Sequence, residues 1–89
     1  MATIIPPHAL TQAFERGVSV DEIHAVLAAG DPVAAHSGRR GRALVLPFNR
    51  SWGRRGRIYP EKRVVVYYTD SADDQVVVTI ISQFGRWEA

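Results

Sequence analysis

The apolar period of this chain changes once, at Gly30-Asp31-Pro32. Upstream, Leu10, Ala13 and Phe14 recur at i, i+3 and i+4, and Val20, Ile23 and Leu27 line one face of a second segment, which is helical spacing. Downstream, valine, isoleucine and tyrosine gather in period-two runs at Ala43 to Phe48, Arg63 to Thr69 and Gln75 to Ser82, which is strand spacing. Helices followed by strands predict an α+β fold.

The ends of these segments sharpen the expectation. Pro6 and Pro7 suit a helix opening, where a missing amide donor costs little, so the first helix is placed over about 8–16 and Gly17 ends it. Ser19 and Glu22 have the spacing of a capping box, with Val18 and Ile23 at the staple positions around it. Gly30 before Asp31-Pro32 stops the second helix. The polar stretch Asp70-Ser71-Ala72-Asp73-Asp74 has hairpin length and predicts antiparallel pairing of the last two strands, and Val33 to His36 adds a short edge strand. The expected architecture is an N-terminal helical hairpin packed on a three- to four-stranded antiparallel sheet. The segment at about 49–62 is expected to be an arginine-rich loop, longer than a compact hairpin needs, and such loops are functional or disordered.

The 89 residues predict a single domain, 1–89, with one modest core and no deep ligand cavity. Without cysteine there is neither a disulfide framework nor a thiolate metal site. The apolar runs are too short and interrupted to span a membrane, and Met1 to Pro6 lacks the pattern of a secretory signal, so a bacterial-type cytoplasm is the expected location.

Charge points to a partner. Between Arg39 and Arg63 lie eight of the ten arginines and the only lysine against one carboxylate, Glu61, a net +8, whereas each flank carries −3 and the chain +2. A field this concentrated is felt by a polyanion, and planar guanidinium groups grip phosphates with paired hydrogen bonds and stack on bases. Arg39, Arg40, Arg50, Arg54, Arg55 and Arg57 are the candidate contacts to RNA or single-stranded DNA, with Trp52, between glycine and arginine neighbours, as a stacking platform. A solvated basic loop, a surface for an acidic protein and a tryptophan folded back onto the core are the alternatives.

His8, His24 and His36 are separated by sixteen and twelve residues, which matches no metal-site pattern, so chemistry without a metal or other cofactor is expected. His8 falls in the first helical turn, where the helix end favours a neutral ring able to accept a proton; a capping or packing role is its alternative. His24, beside the buried stripe, is expected to be structural. Tyr67 and Thr79 are polar members of apolar strands and would stand together if their faces meet across the hairpin, although packing alone also places such residues in strands.

The run His8-Ala9-Leu10, then Glu15-Arg16-Gly17-Val18-Ser19, then Glu22-Ile23 and Val26-Leu27 through Gly30, with the closing Val77-Val78-Thr79-Ile80-Ile81, resembles the small bacterial family known as domain of unknown function 4258. That family is similar in layout to the RelE and BrnT toxins, ribonucleases in which helices lie across an antiparallel sheet and which occur with antitoxins or as tips of secreted toxins. The resemblance implies a RelE-like fold and a metal-independent, RNA-cleaving toxin, acting in its own cytoplasm or delivered to a target cell's, with an acidic antitoxin or immunity protein as partner. It reaches His8, Arg16 and Thr79 individually, with Arg16, Gly17, Ser19, Glu22 and Gly30 as its motif residues. Where the family often has a basic residue one turn after the histidine, this chain has Gln12. In the enzyme that follows, His8 takes the 2′-hydroxyl proton, Arg42 and Arg63 stabilise charge on the phosphorane, and Tyr67 protonates the leaving oxygen, with Thr79 alongside. The competing expectation is a non-catalytic module that binds nucleic acid or an acidic protein with the same basic surface.

Overall fold

The computed structural model describes residues 2–87. In chain order its elements are β1 (Thr3–Ile4), α1 (Pro7–Glu15), α2 (Val20–Ala29), β2 (Asp31–Val33), β3 (Arg40–Trp52), β4 (Arg57–Ser71) and β5 (Asp74–Gly85). The strands form one five-stranded sheet in the order β1-β5-β4-β3-β2. β1 runs parallel to β5, and the other pairs are antiparallel.

The α+β class stands, but the sheet is five-stranded and mixed rather than three- to four-stranded and antiparallel. Thr3 and Ile4 lie in register with Gln75 and Val76, and the Gln75 amide donates to the Ala2 carbonyl at 2.9 Å. The short edge strand is Asp31–Val33, in register with Ala43 to Gly41, and not 33–36. Nor do the helices act as a hairpin laid on the sheet as a unit: α1 packs on β5 and α2 on β3 and β4.

The expected loop at 49–62 is instead the far end of a long hairpin. Arg50, Ser51 and Trp52 pair with Tyr59, Ile58 and Arg57, and residues 53–56 turn the chain. Gly53 and Gly56 take φ of 83° and 61°, a left-handed backbone that glycine adopts without a Cβ penalty. Polar composition hid these strands. Their packed apolar groups are aromatic: the Trp52 and Tyr59 rings lie 4.8 and 5.8 Å from that of Phe84, and Phe48 lies 5.0 Å from it, whereas Ile58 is exposed. A register shift between Pro47 and Arg50, with Asn49 at φ 51°, further breaks the alternation.

One face of the sheet carries the core. Val64, Val66 and Tyr68 of β4 and Val77 and Ile80 of β5 pack against Ala9 and Ala13 of α1 and Ile23, Val26 and Leu27 of α2. Each fully buried valine or isoleucine contributes about 1.5–3 kcal/mol relative to exposure. Strand alternation turns Arg63, Val65 and Tyr67 to the opposite face. Buried Val65 and Ala43 are accordingly absent from the helix-side cluster.

The two helices are tied to the sheet by polar contacts. Gln12 of α1 and Arg16 at its C-cap satisfy both backbone groups of Ile80: the Ile80 amide donates to Gln12 Oε1 at 2.7 Å, and Arg16 Nη1 donates to the Ile80 carbonyl at 2.8 Å. These side chains cover part of the β5 edge where β1 has ended, which blunts it against pairing with another chain. At α2 the capping box is present: the Glu22 amide donates to Ser19 Oγ at 3.1 Å and the Ser19 amide to Glu22 Oε1 at 2.9 Å. Ser19→Ala should cost about 1 kcal/mol without abolishing folding. An unchanged thermal midpoint would show that the box contributes nothing.

Lys62 adds a third partner to that box. Its ammonium, 1% exposed, donates to Glu22 Oε1 and to the Gly17 carbonyl, each at 2.7 Å, and lies 5.1 Å from the centre of the Phe48 ring. Burial pushes the Glu22 carboxyl up, but the hydrogen bond and charge of Lys62 and the bonds from Ser19 outweigh it and hold the group below its ordinary value. The lone lysine is therefore a structural strut and not part of the basic surface.

Candidate nucleic-acid site on the helix-free sheet face

The open face is built by register. Tyr67 on β4 stands between Gly41 on β3 and Thr79 on β5, Val65 between Ala43 and Ile81, and Arg63 between Val45 and Gln83. Gly41 is needed for space and not for its dihedrals: a Cβ there would come within 2.9 Å of Tyr67 Cε1 and 2.8 Å of Val33 Cγ2. The tyrosine ring thus lies over the glycine, held on one side by β2. Arg63 Nη1 reaches Gln83 Oε1 at 3.5 Å across the next rung.

A tight turn brings two more groups to this face. Ser37 and Gly38 take φ of 56° and 74°, and the Arg39 amide donates to the His36 carbonyl at 3.1 Å, the geometry of a type I′ turn. As a result His36, Arg39, Tyr67 and Thr79, with Ala34, line one cavity of about 290 Å³. An imidazole, a guanidinium, a phenol and a hydroxyl meet there, a set able to exchange protons and stabilise an anion without a metal. Among the described residues no group of three histidines and carboxylates could hold a metal ion.

The sequence-predicted catalytic residues divide between the two layers. Arg63, Tyr67 and Thr79 share the open face. Arg42 points the other way in register with Val66, and its Nη1 donates to the Gly30 carbonyl at 2.8 Å, fastening the end of α2. Gly30 itself is a close approach: a Cβ would fall 2.5 Å from the Val26 carbonyl oxygen and 2.9 Å from that of Ala43. His8 is exposed on the first turn of α1, in the helix layer, and the histidine that lines the cavity with Tyr67 and Thr79 is His36. His24 is exposed rather than packed. The spacing of His36 from His8 and His24 says nothing of its place beside Tyr67. Its signal was the Ser37-Gly38 dipeptide, a turn former that folds His36 back beside Arg39.

The arginines also separate. Arg40 pairs with Asp70 at 2.9 Å, an exposed contact of small energetic weight. Arg50 lies over the Phe48 ring at 4.9 Å. Arg54, Arg55 and Arg57, exposed at the hairpin end, line an opening of about 260 Å³ with Trp52 and Tyr59, and among the described residues none has a carboxylate within ion-pair distance. Trp52 is not a free platform. One face stacks on Phe84 at 19°, and the ring edge sits where a Cβ on Gly17 would come within 2.6 Å.

If the hairpin end holds phosphates, replacing Arg54, Arg55 and Arg57 together by alanine should flatten the slope of log affinity against log salt by about 2 for single-stranded RNA, from roughly 0.7 per neutralised phosphate. Anisotropy titrations over a salt series measure this. An unchanged slope would remove the hairpin end from the interface.

A two-layer α+β domain with helices on one sheet face and polar, arginine-bearing residues on the other is the class the fold defines. Residues 5–82 match the model of the family described as Domain of unknown function (DUF4258), and the chain belongs to that family. No curated protein and no solved structure gives a significant match to the chain. The motif residues now have physical roles. Arg16 caps the β5 edge, Gly17 takes a left-handed φ of 69° and by lacking a Cβ leaves room for Trp52, Ser19 and Glu22 start α2, and Gly30 admits β3. No helix among the described residues is long and apolar enough to cross a membrane.

Proposed function

We propose that the protein is a metal-independent endoribonuclease of the toxin type, related in layout to the RelE and BrnT toxins, whose substrate RNA lies on the helix-free sheet face. The observation that carries this reading is the convergence of His36, Arg39, Tyr67 and Thr79 on one cavity. Cleavage of RNA by its own 2′-hydroxyl needs a base for that proton, positive charge for the phosphorane and an acid for the 5′-oxygen. In this reading His36 accepts the proton, Arg39 and then Arg63 meet the phosphate charge, and the Tyr67 phenol protonates the leaving oxygen, with the Thr79 hydroxyl beside it. The products are a 2′,3′-cyclic phosphate and a 5′-hydroxyl, and neither a water nucleophile nor a metal is required. His8 has no part in this arrangement.

Incubating the purified protein with total RNA in chelator, with and without ribosomes, tests it. Fragments ending in a cyclic phosphate are expected. Intact RNA under both conditions would sink the catalytic reading. The second reading, a nucleic-acid-binding module, is favoured by one observation: Arg54, Arg55 and Arg57, without an ion-pair partner among the described residues, sit at the hairpin end and line a different opening from the His36 cavity. Salt-dependent binding without cleavage would support it.

A further inference from the structure

Beside the hairpin, on the helix side of the sheet, lies an open groove of about 670 Å³ that the proposed chemistry does not use. Its apolar lining comes from Phe14 and Val18 on one bank and Phe48 and Trp52 on the other, and its charged lining is Glu15, Arg50 and the mutually paired Glu22 and Lys62, so Arg50 is the cation there without a carboxylate partner among the described residues. Phe14 is 85% exposed, and Leu10, one turn earlier on α1, is 42% exposed. Fully solvating a phenylalanine forgoes about 1.5–3 kcal/mol of burial, so an aromatic standing open next to an apolar groove marks a contact surface more strongly than a scattered exposed leucine does.

We infer that this groove docks an acidic amphipathic segment of a partner protein, with an apolar side chain inserted against Phe14 and Trp52 and carboxylates facing Arg50 and the hairpin arginines. The occupant's chemistry follows from the charges. Arg50 lies on the groove, and Arg54, Arg55 and Arg57 share the neighbouring opening through Trp52, all without an acidic partner among the described residues. A polypeptide can set an apolar residue in the groove and place carboxylates only where the guanidinium groups are. RNA carries a phosphate at every nucleotide and would bring one towards Glu15. Aromatic anchors ringed by arginine are also the residue types that dominate protein interfaces. The surface lies on the helix side, so a partner seated there leaves the His36 cavity on the other face open, and the inference stands whether or not the protein cleaves RNA.

Selection of a displayed library of random 16-residue peptides on the intact protein, with counter-selection on the Phe14→Ser variant, provides the test. The expected winners combine aliphatic or aromatic anchors at helical spacing with Asp and Glu, and their synthetic versions should bind at least tenfold more weakly to Phe14→Ser and to Arg50→Ala. Phe14 is solvent-exposed, so Phe14→Ser should keep the wild-type melting midpoint, and its affinity for a 12-nucleotide RNA should not change. Failure to enrich any peptide over the counter-selection, or winners without acidic residues, would overturn the inference. A drop in RNA affinity in Phe14→Ser would assign the groove to nucleic acid instead. Because the readout is peptide binding, an absence of RNA cleavage by the wild type would count against the ribonuclease alone.

Discussion

Glu22→Ala should destabilise the domain by about 3–5 kcal/mol, the cost of leaving a buried charge without its partner. Lys62 is 1% exposed, and among the described residues removal of the carboxylate leaves its ammonium only the Gly17 carbonyl and the Phe48 ring. The capping bond to the Ser19 amide is lost as well. Domains of this size have roughly 5–15 kcal/mol in total and shift by about 4–8 °C per kcal/mol, so the melting midpoint should fall by more than 10 °C. Lys62→Met should cost less, about 1.5–3 kcal/mol, because the Glu22 carboxylate keeps the Ser19 amide and 24% of its side-chain exposure. The pH dependence has a definite sign. The folded state holds the Glu22 carboxyl below its ordinary value of 4.5, so the stabilisation is complete above that pH and fades as the pH falls through the lower folded value. Urea melts at pH 7, 5 and 3 should show wild type keeping this component at the first two and weakening by pH 3, whereas Glu22→Gln lacks it throughout. Equal acid sensitivity of wild type and Glu22→Gln would show that the pair carries no pH-dependent stability.

The helices and the capping box were legible because their signals are local: proline at the start, serine and glutamate three apart, glycine at the end. What Lys62 does was not, since its partners lie 40 and 45 residues away in sequence and its neighbours made it look like one more surface cation. The same holds for β1, two residues whose strand character exists only in pairing with β5. The hairpin through 49–62 was hidden for another reason: its cross-strand contacts are aromatic rings against Phe84, far along the chain, while arginine and glycine make up most of the residues between Trp52 and Tyr59. For the candidate site, alternation correctly joined Tyr67 and Thr79 on one face, and register now makes them direct neighbours. Which histidine accompanies them depended on which layer each belongs to. That is a fact of tertiary packing, and neither the first-turn position of His8 nor the spacing of His36 encodes it.

His36→Ala should lower RNA cleavage by about 10²–10⁴-fold while leaving RNA affinity and melting midpoint nearly unchanged, because a general base acts on the transition state and adds little to ground-state binding. His36 is exposed on a surface turn, so no core packing is lost with it. His8→Ala should cleave at the wild-type rate, since His8 belongs to the helix layer. Tyr67→Phe removes the phenolic proton but keeps the ring over Gly41, and so should reduce the rate without loss of stability, whereas Gly41→Ala should displace the ring and reduce both. The four variants separate positions as well as roles. If His8→Ala abolished cleavage and His36→Ala did not, the reaction would have to occur on the helix side, and the open face would be left with binding alone. If all four cleaved normally, the acid–base reading of this cavity would fail, even with a ribonuclease activity present in the wild type. The decisive comparison is single-turnover cleavage of one defined RNA in chelator, where His36→Ala and Tyr67→Phe should each slow the chemical step and His8→Ala should not.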